Sequence, residues 1–422
     1  MAQTMRALEK CCTIEMVISE TERAMILKFR QKYMAGLLCL AMAASVSGCG
    51  SSNTVEKPEQ EPEKSSGQET VSVQQQIDGY LEEMTLEEKV AQLFIIQPEA
   101  ILDVGTAVAA GDATREAIDK YPVGGFIYFG ENLQSKEQTR EMLHNVQAYS
   151  TERTGFPAFL SVDEEGGTVA RVAGTGNFDV PDIGDMADIG AAGDVDAAKQ
   201  VGEDIGSYLA ELGFNLDFAP VADVLSNPEN TVVRKRSFGS DPELVSDMAI
   251  AVSDGLEEKG LLSAYKHFPG HGATSADTHK GYAYTDKTLE ELEACELIPF
   301  QRCIAAGAKC IMAAHISVPN VTGDDTPTSL SKTMVTDILR EKMGYTGLVV
   351  TDAMNMGAIT EEYTSAEAAV KALQAGVDVV LMPENYQQAY QGVLDAVADG
   401  TLTEERIDES VTRILTVKLD MQ

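Results

Sequence analysis

The sequence is poor in the residues that several classes of protein require. It has 32 lysines and arginines against 67 aspartates and glutamates, which gives a net charge of −35. A surface with this excess of negative charge repels nucleic acid, so DNA or RNA binding is not expected. The seven cysteines form no CxxC or zinc-type spacing, which argues against a disulfide framework. With 44% apolar and 23% charged residues, the composition is that of a globular protein.

No long apolar run is present near the N-terminus, but a short one has a distinctive context. Basic residues at positions 28–32 precede an apolar stretch, 35–46, that is too short to span a bilayer comfortably. The sequence Val46-Ser47-Gly48-Cys49 then resembles a bacterial lipobox. This arrangement predicts that Cys49 is lipidated and becomes the new N-terminus. An ordinary signal peptide and a short buried helix are the alternatives.

The first 74 residues are therefore expected to direct and tether the protein. We expect a signal segment over residues 1–48, with Met25 as the true start. Residues 49–74 are rich in Ser, Glu, Gln and Pro and have few large apolar side chains, which is typical of a flexible linker. The predicted location is the outer face of a bacterial cell membrane, with the lipid as the only membrane contact.

Residues 75–422 alternate short apolar runs with longer amphipathic stretches. Helical periodicity near 3.6 is clear over Glu290–Ala306 and Ala366–Ala375. The apolar runs predict eight buried strands, at Leu93–Gln97, Gly125–Phe129, Ala158–Val162, Leu216–Ala219, Ser263–Lys266, Cys310–Ala314, Leu348–Thr351 and Asp378–Met382. Eight repeated strand–helix units predict an α/β fold, a (β/α)8 TIM-type barrel in a single catalytic domain. An open doubly wound sheet is the alternative.

Polar residues follow several of these runs directly. Asp163, Lys266-His267, His315 and Asp352 each come at or just after the end of a predicted strand. The carboxyl ends of barrel strands surround the active site, so these side chains should converge on one mouth. Because a soluble barrel has no structural need for an acid or base at each strand end, the pattern indicates an active site.

The segment 266–279, KHFPGHG followed four residues later by DTH, is the densest cluster of candidate groups. His267 and His271 are four residues apart, but Pro269 between them argues against a helical zinc site, and no ligand set is completed nearby. No metal is therefore expected. Histidine can exchange a proton near neutral pH when a partner fixes its tautomer, and Asp277 lies two residues before His279. This dyad favours general acid/base catalysis, although an isolated Asp-X-His is often only a surface turn.

Three further residues complete the candidate site. Asp352, after the seventh run, is a candidate carboxylate nucleophile, or otherwise a helix N-cap. Asp163 precedes two glycines that permit a tight loop, and its carboxylate is suited to accept hydrogen bonds from sugar hydroxyls. The three acids of this loop and its missing lysine argue against phosphate binding. Arg236 could donate to sugar oxygens or be a surface charge.

These motifs resemble glycoside hydrolase family 3, and specifically its β-N-acetylglucosaminidase branch. The resemblance runs from the segment MTLEEK at 84–89 to the residues 413–415, and KHFPGHG with DTH is its most specific part. The resemblance implies that Asp352 is the nucleophile and that His279 is the acid/base, oriented by Asp277. Residues similar to those that bind the sugar are Asp163, Arg171, Arg236, Lys266 and His267. Glu164 and Thr168 depart from the residues common in relatives, Gln and Arg.

The resemblance predicts a retaining exo-β-N-acetylglucosaminidase that acts without a cofactor. Its only predicted partner is a β-GlcNAc-containing glycan, and the protein is expected to be a monomer. Fragments containing GlcNAc β-1,4-linked to MurNAc are the expected substrate, and chitooligosaccharides are an alternative. A histidine acid/base does not repel an anionic acceptor, so a phosphorylase on the same site is a second possibility. A non-catalytic sugar-binding lipoprotein is the alternative from another class, and the Asp–His dyad argues against it.

Overall fold

The fold is seen in a computed structural model, which describes residues 72–274, 278 and 281–421. These residues lie in one compact unit. The predicted signal segment, Cys49, Asp277 and His279 lie outside the described residues. No helix in the described part of the chain is long and apolar enough to cross a membrane.

Eight parallel strands form the barrel that the sequence predicts. They are β1 (Phe94–Ile96), β2 (Gly125–Ile127), β3 (Phe159–Val162), β4 (Leu216–Asp217), β5 (Leu262–Ser263, continued by Tyr265–Phe268), β6 (Cys310–Ala313), β7 (Leu348–Thr351) and β8 (Val380–Leu381). Strands β1 to β4 pair in sequence order, the first part of β5 pairs with β4, and its second part pairs with β6. β6 pairs with β7 and β8 returns to β1, while a bridge between Val350 and Val379 joins β7 to β8. The sheet is closed, so the open doubly wound alternative is wrong.

Helices cover the outside of the barrel. The α-helices span Val73–Glu83, Leu86–Gln92, Asp112–Lys120, Lys136–Thr154, Met186–Ala192, Val195–Leu212, Pro242–Glu258, Leu289–Glu293, Leu297–Ala305, Pro319–Thr322, Gly357–Thr360, Ser365–Ala375, Tyr386–Ala398 and Glu404–Asp420, and Thr333–Lys342 is a π-helix. Short 3-10 turns occupy Pro98–Ala100, Gly130–Asn132, Ala173–Thr175, His271–Ala273 and Thr328–Leu330. Every barrel strand is thus followed by at least one helix before the next strand or, after β8, by two.

Local sequence signals explain where these helices begin and end. Thr364 caps Ser365–Ala375 through a capping box with Glu367, and Gly376 ends that helix at φ 105°, which favours glycine. The predicted single helix over Glu290–Ala306 is wrong, because the structure has two helices with a break after Glu293. Pro299 explains the break, since it has no backbone N–H to donate to the carbonyl four residues earlier.

The barrel strands are buried on both faces, as their continuous apolar character predicts. The three cysteines of the domain, Cys295, Cys303 and Cys310, are free, and Cys303 and Cys310 are buried, in agreement with the absence of a disulfide framework expected from their spacing. Two small sheets extend the barrel beyond its carboxyl edge. Glu164–Gly166 forms a hairpin with Val169–Ala170 after β3, and Ala283–Tyr284 pairs with Ile316–Ser317 after β6.

Candidate active site

A cavity of about 280 Å³ opens at the carboxyl ends of the strands. Its apolar wall is formed by residues such as Ile127, Phe129, Met312 and Leu381. Its polar lining is made of Asp163, Glu165, Arg171, Arg236, Lys266, His267, His271, Thr278, Asp352 and Asn355. The structure therefore brings the predicted sugar-binding residues and Asp352 together around one cavity, whereas His315, which was also expected at this mouth, is not among the lining residues.

The loop after β3 carries two carboxylates into this cavity. Asp163 directly follows β3, and the hairpin that comes next turns at Gly166 (φ 87°) and Gly167 (φ 53°). A Cβ at Gly167 would lie 2.6 Å from the Asp185 carboxylate, so a larger residue would displace its neighbour. The tight loop predicted from the two glycines is confirmed. It places Glu165 beside Asp163 at the cavity wall.

Two buried cations face these carboxylates. Nζ of Lys266, on β5, lies 2.6 Å from Oδ1 of Asp163 and 2.6 Å from Oε1 of Glu165. Arg236 donates Nε and Nη2 to the two oxygens of Glu165, each at 2.7 Å, in a bidentate pair. The Arg236 side chain is only 14% exposed, so the surface-charge alternative is wrong. These ion pairs hold four charged groups in fixed positions without water between them.

Burial and charge act against each other on these groups. Burial alone would raise the pKa of Glu165, but the neighbouring Arg236 and Lys266 lower it well below its usual range. Burial would lower the pKa of Lys266, and the carboxylates of Asp163 and Glu165 raise it instead. Glu165 and Lys266 are therefore ionised across the physiological pH range. They are suited to bind and orient a substrate, and their pKa values are far from those of proton-transfer groups.

His267 is held in one tautomer by its two neighbours. Its Nδ1 lies 2.7 Å from Oδ2 of the fully buried Asp223, and its Nε2 lies 3.3 Å from Nη2 of Arg236. Arginine can only donate, so Nε2 accepts and Nδ1–H donates to Asp223. Burial would raise the pKa of Asp223, but His267 lowers it below its usual range. His267 thus presents its imidazole ring to the cavity in a fixed orientation.

Arg171 reaches the cavity from the second strand of the hairpin loop. Its guanidinium carbon lies 5.5 Å from the centre of the Phe129 ring, a cation–π contact with the apolar wall. Its Nε is buried, and no other residue that the structure describes accepts a hydrogen bond from it. A buried donor of this kind lacks a partner that a substrate oxygen can provide. The arrangement agrees with the sugar-binding position that the sequence implies for Arg171.

Asp352 lies at the carboxyl end of β7 and lines the same cavity. Its backbone N–H donates to the carbonyl of Ala313 at 2.9 Å, which continues the pairing with β6. Its Oδ1 accepts a 2.8 Å hydrogen bond from the backbone N–H of Ala353. His315 lies behind this peptide, with Nε2 3.0 Å from the carbonyl of Ala353 and Nδ1 2.7 Å from Oγ of Ser329. His315 therefore supports the backbone next to Asp352.

The segment after β5 approaches the cavity through His271 and Thr278. Nε2 of the buried His271 lies 3.4 Å from Oγ1 of Thr278, and burial lowers the pKa of His271. Thr278 is flanked in sequence by Asp277 and His279, the predicted dyad, which lie outside the described residues. Thr278, the residue between the two members of the dyad in the sequence, lines the cavity.

A second carboxylate pair lies behind the cavity. Glu164 accepts from Tyr208 Oη at 2.8 Å and from the backbone N–H groups of residues 172 and 173. Its own backbone N–H donates to Oδ1 of Asp217 at 2.9 Å. Burial raises the pKa of Glu164, and it raises the pKa of Asp217 strongly, with the charge of Glu164 adding to the effect. Glu164 thus anchors the hairpin loop, away from the cavity lining.

Glu165 and Asp223 are site residues that the strand-end pattern does not single out. Glu165 lies three residues after β3 and Asp223 six residues after β4, whereas Asp163 and Asp352 directly follow their strands. Their partners are harder to predict from the sequence, because Glu165 is 71 residues from Arg236 and Asp223 is 44 residues from His267. Within the described residues, no group of three histidine, cysteine or acidic side chains is arranged to hold a metal ion.

Comparisons with known proteins identify the family of this chain. Residues 85–417 match the model for the glycosyl hydrolase family 3 N-terminal domain. The chain is 34% identical over 330 residues to beta-hexosaminidase A of Pseudoalteromonas piscicida, covering 72% of this chain and 54% of that enzyme. It is 37% identical over 277 residues to beta-hexosaminidase LpqI of Mycobacterium tuberculosis, covering 62% of this chain and 68% of the relative. The structure of a family 3 beta-N-acetylglucosaminidase from Paenibacillus sp. superposes with a TM-score of 0.75 at 37% identity, covering 80% of this chain and 63% of that one.

Proposed function

This chain belongs to glycosyl hydrolase family 3, and on that basis we propose that it is a retaining exo-β-N-acetylglucosaminidase acting on peptidoglycan fragments. One observation carries the proposal: Asp352 lines the same cavity as the buried, ion-paired side chains of Lys266, Glu165 and Arg236. At about 280 Å³, the cavity is near the lower end of ligand pockets and suits one sugar residue. A site that admits a single residue favours removal of a terminal sugar.

The charged groups around the cavity are suited to orient that sugar. Sugar hydroxyls both donate and accept hydrogen bonds, and the site offers both kinds of partner. Asp163 can accept, while Lys266 and Arg171 can donate, and the ring of His267 is held in a fixed orientation. Because these groups are already held by the ion pairs, little rearrangement is needed when the sugar binds. The bound sugar would present its anomeric carbon to Asp352.

The reaction would then follow the double-displacement course of retaining glycosidases. The Asp352 carboxylate attacks the anomeric carbon while the bond to the leaving oxygen breaks, and His279 gives its proton to that oxygen. The product of this step is a covalent glycosyl-aspartate. His279, now neutral, takes a proton from water, which attacks the anomeric carbon and releases Asp352. Two inversions leave the β configuration unchanged.

The names of the relatives support the choice of sugar. Both curated relatives are beta-hexosaminidases, and the Paenibacillus structure is of a beta-N-acetylglucosaminidase. The chain spans about half of the length of the Pseudoalteromonas enzyme. The match alone therefore does not assign the whole activity of that enzyme to this chain. Peptidoglycan fragments fit the predicted place at the outer face of the cell membrane, where GlcNAc-β-1,4-MurNAc units are the available β-linked glycan.

The direct experiment is to follow the hydrolysis of a chromogenic β-N-acetylglucosaminide by proton NMR in phosphate buffer. We expect the β-anomer of free N-acetylglucosamine to appear first, followed by mutarotation. Initial release of the α-anomer would contradict retention. N-acetylglucosamine 1-phosphate as the main product would instead establish the phosphorylase, and no turnover with tight sugar binding would establish a binding protein.

The membrane tether is a separate part of the proposal and needs its own test. Cys49→Ser removes the predicted lipidation site at the end of the Val46–Cys49 motif. We expect the variant to leave the membrane fraction and to keep its specific activity, because the barrel contains the whole proposed site. A variant that still fractionates with membranes would show that the apolar stretch 35–46 is a retained anchor.

A further inference from the structure

A second groove, of about 450 Å³, lies beside the catalytic cavity and is lined partly by tyrosines. Tyr282 and Tyr363 line it together with Asp325, Glu361 and the segment 357–358. Tyr282 and Tyr284 are 48% and 46% exposed. They are the exposed members of the tyrosine and phenylalanine set in the part of the chain that the structure describes. Tyr282 lines the groove and Tyr284 stacks on it from outside the lining, so an exposed aromatic pair at the edge of a groove next to the catalytic cavity indicates a binding surface.

The groove and the cavity are built from the same two segments. Asp352, Ala353 and Asn355 line the cavity, and Gly357, two residues after Asn355, lines the groove. On the other side, Thr278 lines the cavity and Tyr282 lines the groove. Two residues span at most about 7 Å, so the groove begins within one sugar residue of the cavity on the Asn355 side.

Tyr282 is held in place before any ligand binds. Its ring stacks on that of Tyr284, with centroids 5.4 Å apart and an interplanar angle of 20°. Its hydroxyl donates to Oδ1 of Asp325 at 2.9 Å. The intervening Ala283 pairs with Ile316 in the small parallel sheet that follows β6. A ring fixed in this way loses little conformational entropy on binding, which favours its use as an anchor.

The opposite wall of the groove is brought close by a glycine. Gly281 has φ 127°, a conformation that favours glycine, and a Cβ at that position would lie 3.3 Å from Oε2 of Glu361. The Glu361 carboxylate therefore approaches the chain just before Tyr282, and Tyr363 lies two residues further on. The result is a groove with aromatic surfaces and carboxylate acceptors, a combination that matches a pyranose ring. Such a ring has an apolar C–H face for stacking and hydroxyls to donate.

We propose that this groove binds the sugar on the leaving-group side of the scissile bond, with its ring stacked on Tyr282. The inference rests on the proposed function, because it assigns the neighbouring cavity to the terminal N-acetylglucosamine. The groove then selects glycans, in which the leaving group is a second pyranose, over glycosides with small leaving groups. Its carboxylates, on Asp325 and Glu361, accept hydroxyls of that second sugar.

The test compares substrates that differ only in whether a second ring is present. The substrates are N,N′-diacetylchitobiose, GlcNAc-β-1,4-MurNAc and methyl β-N-acetylglucosaminide, whose alkoxide leaving groups all require protonation. An aromatic contact contributes about 0.5–1.5 kcal/mol, so Tyr282→Ala should lower kcat/KM for both disaccharides by roughly two- to tenfold. The value for the methyl glycoside should stay within about twofold, because it has no ring to fill the groove.

Matched variants separate stacking from general damage. Tyr282→Phe keeps the ring and should keep the preference for disaccharides, while Tyr363→Ala tests the opposite wall independently. Tyr149→Ala makes the same truncation on the outer helix Lys136–Thr154 and should change no substrate's kcat/KM. Two results would overturn the groove assignment. One is an equal fall in kcat/KM on all three substrates, and the other is unchanged kcat/KM on every substrate in both Tyr282→Ala and Tyr363→Ala. Failure of the wild type to cleave any of the substrates would instead overturn the proposed function.

Discussion

The Asp223 carboxylate fixes His267 through both of its oxygens: Oδ2 lies 2.7 Å from Nδ1 of the ring, and Oδ1 accepts from the backbone N–H of His267 at 3.1 Å. The same Oδ1 also accepts the backbone N–H of His271 at 2.6 Å. Three donors therefore converge on one buried carboxylate, which no neutral side chain of the same shape can satisfy.

This convergence predicts the effect of Asp223→Asn. The amide has one acceptor oxygen, so its NH₂ must oppose either the two backbone donors or Nδ1–H of His267. In the second case the ring changes tautomer, and its Nε2–H then faces Arg236, which can only donate. Loss of a hydrogen bond to a charged group corresponds to about 1.5–3 kcal/mol, so kcat/KM should fall roughly 10- to 100-fold. Wild-type kinetics on a chromogenic substrate would contradict this role for Asp223.

The buried charge pairs predict a stability effect at Glu165. Glu165→Gln leaves Lys266 and Arg236 without their shared carboxylate, and removal of one partner of a buried pair costs about 3–5 kcal/mol. Glu258→Gln is the matched control, because the pair of Glu258 with Lys199 is exposed and screened by solvent, so its loss should change the free energy of unfolding little. Urea unfolding at pH 7 measures both variants. Equal unfolding free energies for the two would show that the Glu165 cluster is not a buried electrostatic unit.

Lys418 predicts a pH dependence of stability that is independent of the active site. It is fully buried on the last helix, where Nζ lies 2.8 Å from Oε1 of Gln92 and about 5 Å from the ring centres of Phe156 and Phe159. Burial lowers the pKa of Lys418 to about 7. The unfolded value is about 10.4, so between these pH values the unfolded chain binds one more proton than the folded chain. The free energy of unfolding therefore gains about 1.4 kcal/mol per pH unit from this group as pH rises from about 7 to 10.

Lys418→Met should remove that slope. The variant should be more stable than the wild type at and below pH 7, and its advantage should shrink as the pH rises towards 10. Lys309→Met is the control, since the hydrogen bond that Lys309 donates to the Asp420 carboxylate raises the pKa of Lys309, and the group keeps its proton over this range. A constant difference between Lys418→Met and the wild type from pH 7 to 10 would show that Lys418 is charged in the folded protein.

His279 can be tested by the dependence on the leaving group. His279→Ala should slow the cleavage of a methyl glycoside by roughly 10²- to 10⁴-fold, because methoxide needs protonation. A dinitrophenyl glycoside needs little protonation and should still form the covalent intermediate, after which attack by water becomes limiting. Azide needs no base, so it should restore turnover and give the β-glycosyl azide. Equal slowing on both substrates without azide rescue would assign His279 to sugar binding instead.

Much of the fold could be predicted because the relevant signals are local. Seven of the eight apolar runs contain a barrel strand and the other, Ser263–Lys266, overlaps β5, since a strand buried on both faces must be apolar along its length. The strand ends also indicated Asp163, Lys266 and Asp352. The break between Leu289–Glu293 and Leu297–Ala305 was missed because apolar periodicity continues through it, although Pro299 was a visible signal.

The ion-pair geometry of the site could not be predicted in the same way. Glu165 meets Arg236 across 71 residues, and no local pattern in either segment indicates the pairing. The tyrosine groove depends on two segments brought together after β6 and β7, so its aromatic character was not apparent from the separate motifs. Long-range contacts of this kind depend on the closure of the barrel and on the lengths of its loops.

The central claim is that Asp352 forms a covalent bond with the sugar, and a trapped intermediate tests it most directly. A 5-fluoro derivative of N-acetylglucosaminyl fluoride slows both steps by destabilising the positive charge of the transition states, while its fluoride leaving group lets the first step proceed. Peptide mass spectrometry of the inactivated protein should find one added sugar on the peptide that contains Asp352, and Asp352→Asn should remain unlabelled. A sugar on another residue, or full labelling of Asp352→Asn, would contradict the account.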